Sequence, residues 1–247
     1  MKSTATKTQL KKRLTRSLLG FAVFLVAFMT AIFLVRTGPQ QDQAPSALRM
    51  GLEFNGRLAQ NLFSESRQSV EVAPPTGKPR VNGDLGLRTP LNLSDYKVRV
   101  ESGSRQLEIP LQDFAKLPYS KVSTLFKCIE GWSMPVEYEG YRFSDFMEAL
   151  DLGKKPDGSF YKYVGLVTPD GQYYVSIDIE SMRHAQTLLA IKMNESPLAL
   201  ENGAPIRLII PIKYGIKSLK RVGLIFFSDV RPPDYWAERG YDWHSGL

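Results

Sequence analysis

The sequence predicts a mixed α+β domain, rich in short antiparallel β segments and poor in helices, preceded by one transmembrane helix. Two observations carry this. An uncharged apolar run extends from Ser17 to Val35, and from about residue 81 strand-like alternation and turn signals take over. No segment recurs at a period of about 20 to 50 residues, so a solenoid or propeller is excluded.

The chain has 247 residues, room for one substantial domain beyond a membrane segment. Its net charge of +7 is localised. Lys2, Lys7, Lys11, Lys12, Arg13 and Arg16 precede the apolar run and Arg36 follows it; without these seven, basic and acidic residues balance. A neutral folded part does not attract nucleic acid, and no such partner is expected. At about 1.5 Å per residue, Ser17 to Val35 reaches about 28 Å, close to a hydrocarbon core of about 30 Å. The run closes on Phe33-Leu34-Val35-Arg36-Thr37 rather than on the small residues of a cleavage site, so a retained anchor is favoured over a signal peptide.

The expected division is a basic cytoplasmic tail over 1–16, a transmembrane helix over 17–35, a stalk over 36–80 and a folded domain over 81–247. The positive-inside preference gives a single-pass inner-membrane protein with its N-terminus in the cytoplasm. The domain would then lie in the periplasm of a Gram-negative cell. One cysteine cannot form an internal disulfide, and a free thiol in an oxidising compartment is expected to be buried or bound.

Taken in order, Thr37 to Ala47 is polar and reads as a stalk. Ser46 is a candidate cap for a short amphipathic helix bearing Leu48, Leu52, Leu58, Leu62 and Phe63, either solvated or docking on an integral membrane protein. Glu65 to Arg80, with Ser66, Pro74, Pro75, Gly77 and Pro79, reads as linker. Tyr96 to Val100 and Gln106 to Ile109 alternate as a hairpin across Ser102-Gly103-Ser104. Gln112 to Leu117 is a short helix stopped by Pro118. Val122 to Ile129 is a strand carrying Cys128, and Gly131 allows a tight bend after it. Ser144 caps a helix with Phe146, Met147 and Leu150 inward. Tyr161 to Val167 and Tyr173 to Ile177 flank the turn signal Pro169-Asp170-Gly171. Strands follow at Leu188 to Met193, Ile206 to Pro211 and Val222 to Phe227.

A lone thiol after an apolar run is either a small buried hydrophobe or a soft metal ligand. His184 and His244 stand far apart, so no zinc constellation can be assembled by spacing. His184 reads as a structural hydrogen-bonding group, and Trp132 as packing beside the cysteine.

Four segments in order carry a resemblance: Cys128-Ile129-Glu130-Gly131-Trp132-Ser133, Met193-Asn194-Glu195-Ser196-Pro197-Leu198, Asn202-Gly203-Ala204-Pro205-Ile206-Arg207 and Lys213 to Lys220. Together they resemble the molybdopterin-binding domain of the sulfite oxidase family, in its bacterial branch of periplasmic methionine sulfoxide reductase catalytic subunits. The resemblance covers about residues 81–247 and implies a β-rich sulfite-oxidase-type fold. It implies a molybdenum-molybdopterin cofactor with Cys128 as both metal ligand and catalytic residue. It also implies pterin contacts from Asn82, Leu85, Gly86, Thr168, Asn202, Arg207, Ser218, Leu219 and Lys220. The residue types agree with this. Arg207 can bind phosphate through two donors, Asn202 can donate and accept, and Ser218, Leu219 and Lys220 can offer N–H groups and an ammonium.

The implied activity is oxygen-atom transfer on a small-molecule substrate, sulfoxide-like or N-oxide-like, with electrons from a membrane partner such as a heme protein. Two other readings are a cofactor-free relic of the fold serving as a binding or assembly module, and a sulfite-type oxidase. Lys12-Arg13-Leu14-Thr15-Arg16-Ser17 holds no adjacent arginine pair of the kind that directs folded export, which supports the relic. No cytochrome or immunoglobulin-like segment is expected within the sequence.

Overall fold

A computed structural model describes residues 7–41, 43–62, 68–73 and 79–247. The chain divides at Leu52 and Glu53 into two compact units. In the first, α1 (Lys7–Thr37) is one helix, and its stretch Gln9–Thr37 is long and apolar enough to cross a membrane, a test that a signal sequence also passes. β1 (Gln40–Gln41) and β2 (Ala44–Pro45) form a minimal antiparallel pair. α2 (Ser46–Asn61) follows at once and continues into the second unit. The Ser46 N–H and hydroxyl both donate to the carbonyl of Pro39 at 2.9 Å, so residues 39–46 of the expected stalk fold back as a turn. The helix forms, but Leu48, Leu58 and Leu62 are exposed and only Leu52 is partly covered. Phe63, Ser66, Pro74, Pro75 and Gly77 lie outside the described residues, as does Lys2.

The second unit begins with the expected hairpin, β3 (Lys97–Ser102) and β4 (Arg105–Pro110), turning at Gly103. After α3 (Leu111–Phe114), β5 (Tyr119–Lys127) and β6 (Ser133–Arg142) make a longer one. Then come α4 (Phe143–Ala149), β7 (Tyr163–Val167), β8 (Tyr174–Asp178) and α5 (Ile179–Arg183). β9 (Leu188–Met193), β10 (Ser196–Pro197), β11 (Arg207–Ile209) and β12 (Leu224–Ser228) complete the set.

One sheet runs β4-β3-β12-β7-β8, antiparallel except where β12 meets β3. The other runs β10-β9-β6-β5, with β11 beside β10 on β9. Alternation places Val98, Val100, Val164, Leu166, Val175, Ile177, Ile225 and Phe227 of the first sheet in one core, with Phe114, Phe146 and Met147 of α3 and α4. A smaller core on the second sheet joins Val136, Tyr138, Leu188, Ala190 and Ile209.

Two local expectations are corrected and one strand is new. The strand expected over Val122 to Ile129 spans Tyr119 to Lys127, so Cys128 opens the turn instead of sitting in the strand. β6 was not legible, because Pro135 and Gly140 interrupt its alternation. Both have a place: β6 is irregular at Glu139/Gly140, and a Cβ on Gly140 would stand 2.2 Å from the carbonyl oxygen of Leu189. α4 starts one residue before Ser144, with Arg142 at its N-cap and no side-chain cap; the carbonyl of Thr187 takes the Phe143 N–H.

Candidate active site

The β5–β6 hairpin fixes the cysteine. Its turn is closed by Cys128 N–H to Trp132 O at 2.9 Å and Gly131 N–H to Cys128 O at 3.1 Å. Gly131 stands at φ +89°, a conformation that favours glycine. The thiol is buried to 7% exposure, yet it lines a cleft of about 170 Å³.

Around it, Asn82 Nδ2 lies 3.9 Å from Cys128 Sγ and 3.3 Å from Glu130 Oε2, and Trp132 Nε1 donates to the same Glu130 oxygen at 2.9 Å. The Trp132 bond, then the Asn82 bond, and more weakly the charge of Arg80 hold the Glu130 carboxyl below its ordinary range. Arg80 stacks on the Trp132 ring at 4.6 Å.

β11 and the segments around it supply cations to the same cleft. Arg207 is 4% exposed and donates to the carbonyls of Asn202 at 2.9 Å and Ser218 at 3.3 Å. Its Nε is buried with no hydrogen-bond partner. Lys220 Nζ donates to the carbonyls of Asn82 at 2.7 Å, Gly83 at 2.9 Å and Glu201 at 3.0 Å. Burial first, and the Arg207 charge second, lower the Lys220 pKa to about 8. Among the described residues neither cation forms an ion pair with a carboxylate. Gly203, at φ +99°, lets this strip close up: a Cβ there would stand 2.9 Å from Lys220 Cβ.

Asn82, Leu85, Cys128, Asn202, Arg207, Ser218 and Lys220 therefore meet on one cleft, from segments far apart in the sequence. Gly86, Thr168 and Leu219 do not line it. Gly86 abuts Thr168, where a Cβ would meet Thr168 Cγ2 at 2.4 Å. Thr168 Oγ1 is committed to Asp170 Oδ1 at 2.6 Å and to the backbone of Tyr173. Leu219 is fully buried in the core, and its N–H is used by the carbonyl of Lys217; the Ser218 N–H is likewise used by Gly215. Of the donors expected there, the Ser218 hydroxyl and the Lys220 ammonium remain on the cleft.

Sequence reasoning missed Arg80, which it placed in a linker, and Tyr138, Tyr173, Trp236 and Tyr241, which also line the cleft. Tyr173, Tyr235, Trp236 and Tyr241 stack edge to face in series, with centroids 5.6, 5.2 and 5.2 Å apart. For Trp236 and Tyr241 the available signal was the aromatic density of the last thirteen residues; Arg80, Tyr138 and Tyr173 carried none. His184 is off the cleft: its Nδ1 accepts from the Gln186 N–H at 3.2 Å. His244 belongs to a buried cluster, 3.2 Å from Lys213 Nζ, which in turn reaches Asp178 Oδ2 at 2.9 Å.

These residues fit a molybdopterin. Among the described residues no group of three His, Cys, Asp or Glu could hold a bare metal ion. A metal at the Cys128 thiol must therefore bring its other ligands with it. The buried Arg207 Nε without a partner and the half-buried Lys220, both lacking a carboxylate, suit a terminal phosphate.

Comparison with known proteins agrees. The oxidoreductase molybdopterin-binding domain family matches residues 86–236. Relatives include the protein-methionine-sulfoxide reductase catalytic subunit of Campylobacter jejuni, 29% identical over 62% of this chain and 55% of that protein. Another is a putative protein-methionine-sulfoxide reductase subunit of Azospira oryzae, 33% identical over 62% of this chain and 60% of that protein. The matched region thus spans less than two thirds of either relative. Among solved structures, the sulfane dehydrogenase SoxCD of Paracoccus pantotrophus shares the fold, with a TM-score of 0.51 and 20% identity over 58% of this chain and 40% of its own. With residues 86–236 matched and the cysteine and cation strip on one cleft, the chain belongs to the oxidoreductase molybdopterin-binding domain family, of sulfite oxidase type.

Proposed function

We propose that this enzyme is a membrane-tethered molybdenum oxidoreductase of the periplasmic face. It reduces sulfoxide-like or N-oxide-like substrates with electrons from a membrane partner such as a heme protein. One observation carries the reading: a single cleft presents the thiol of Cys128 and two cations, Arg207 and Lys220, that lack carboxylate partners. The names of the two relatives support the substrate class, and α1 supports the tether.

When bound, the cofactor supplies a two-electron centre that takes or gives an oxygen atom. Cys128 would hold the metal as thiolate. Arg207 and Lys220 would hold the phosphate, with Asn202, Ser218 and Asn82 on the pterin edge and Leu85 packed beside it. Gly86, Thr168 and Leu219 shape the wall from behind.

Reducing a sulfoxide consumes two electrons and two protons and releases a thioether and water. Glu130, on the same cleft and two residues from the cysteine, would relay protons between solvent and substrate by position, against the donors of Trp132 and Asn82 that hold its carboxyl below the ordinary range. Tyr173, Trp236 and Tyr241 offer an apolar wall suited to a thioether, since sulfur makes favourable contacts with aromatic edges.

A reduced viologen dye offered with sulfoxides and N-oxides tests this. Dye oxidation that requires substrate is expected. Turnover of sulfite with an oxidised dye, and none with sulfoxides, would instead establish a sulfite-type oxidase. Molybdenum-free protein inactive in both directions would establish the relic.

A further inference from the structure

On α2 the large apolar residues face outward, while Arg49 is buried, Glu53 is half-buried and Arg57 is exposed. Arg49 is 4% exposed. Glu53 accepts two 2.7 Å bonds from Arg231, through Oε1 and Oε2. Gly56 is buried, and a Cβ there would stand 3.7 Å from Asp242 Oδ1 and His244 Cβ. Met50, Phe54, Leu58 and Leu62, in contrast, are 72%, 62%, 49% and 68% exposed. Spaced four apart, they form one stripe along the helix, continued at its end by Leu62 N–H to Leu58 O at 3.1 Å. A surface helix of a water-soluble domain shows the reverse pattern. Single exposed apolar residues need no explanation, but a contiguous stripe of four marks a contact.

The occupant follows from where α2 begins. The β1–β2 reversal and the double bond from Ser46 to Pro39 set the first turn of α2 beside the end of α1. A stripe on a helix whose first turn follows directly from a membrane span has lipid as a candidate occupant. Arg36 closes α1 and Arg57 lies exposed on the flank of the stripe, while Glu53 is neutralised by Arg231. The charge near the stripe is therefore positive and suits anionic headgroups.

From this we infer that α2 is an interfacial helix, with Met50, Phe54, Leu58 and Leu62 inserted at the headgroup and acyl boundary of a phospholipid surface. The inference rests on α1 being a membrane span.

The test uses the full chain in nanodiscs of phosphatidylcholine and phosphatidylglycerol, with and without brominated acyl chains. Tryptophan fluorescence is read as a difference from the parent protein. Four variants are compared: Phe54→Trp and Leu58→Trp in the stripe, Phe24→Trp in α1, and Val230→Trp on the domain surface. Quenching by brominated lipid is expected for the first three and not for Val230→Trp. Quenching of Phe24→Trp alone would keep the span and overturn the interfacial helix. An unquenched Phe24→Trp would remove the span and the inference together. Photo-crosslinking from position 54 in native membranes is expected to reach lipid; a polypeptide adduct would overturn the inference in favour of a protein partner.

Discussion

The side-chain amide of Asn82 reaches both the sulfur of Cys128, at 3.9 Å, and the carboxylate of Glu130, at 3.3 Å. A segment far upstream thereby closes over the cysteine turn. Lys220 holds that segment in place through the carbonyls of Asn82 and Gly83. The thiol, the carboxylate and Lys220 are thus linked by hydrogen bonds through one segment.

Replacing Asn82 by Leu removes one of the donors that keep Glu130 ionised. The Glu130 pKa then rises, and the acid limb of the turnover profile moves to higher pH. Rate measured against pH in dye-coupled assays reads this shift; an unmoved limb would separate Glu130 from proton delivery.

Lys220→Met removes an ammonium without removing length. Cofactor retention is expected to fall at least about tenfold, because a charge-assisted bond to phosphate is worth about 1.5 to 3 kcal/mol. In the parent protein Lys220 is protonated below about pH 8. Retention is therefore expected to be full at neutral pH and to weaken as pH rises through 8, a trend that Lys220→Arg abolishes. Cofactor content after dialysis across pH 6 to 9.5 checks both.

Gly140→Ala forces a Cβ to within 2.2 Å of a backbone oxygen of β9, which cannot yield as a flexible side chain would. A loss of about 1 to 3 kcal/mol is expected, visible as a lower denaturation midpoint. Gly171→Ala, where a Cβ meets nothing within 4 Å but φ is +70°, should cost less, about 1 kcal/mol.

His244 is buried, chiefly so, and faces Lys213 and Lys217 as well as Asp178 and Asp242; its pKa falls from 6.5 to about 4. The unfolded chain therefore binds a proton that the folded chain refuses between those values. The contribution of His244 to stability is level above pH 6.5 and declines as pH drops towards 4. Thermal melts at pH 7 and pH 5 should show the decline in the parent protein and a smaller one in His244→Gln.

Strand alternation and turn chemistry made most of the fold legible, as at Leu188 to Met193 and around Pro169-Asp170-Gly171. β6 was hidden because its Pro135 and Gly140 serve pairing geometry rather than alternation. Ser144 misled because a backbone carbonyl 43 positions later replaces its capping role. At the site, Cys128, Arg207 and Lys220 were readable from motif order. Arg80 and the wall of Tyr173, Trp236 and Tyr241 were not, since nothing local marks which of many aromatic residues the chain will bring together. Leu219 and Thr168 stand off the cleft, with the Leu219 N–H and the Thr168 hydroxyl used within their own turns.

The most direct measurement is elemental molybdenum per chain in full-length protein purified from its native membrane, beside a Cys128→Ser variant of matched thermal stability. About one molybdenum per parent chain and almost none in the variant are expected. A parent protein without molybdenum, or a variant that keeps both the metal and full turnover, would contradict the assignment of Cys128 as the ligand that makes this chain an enzyme.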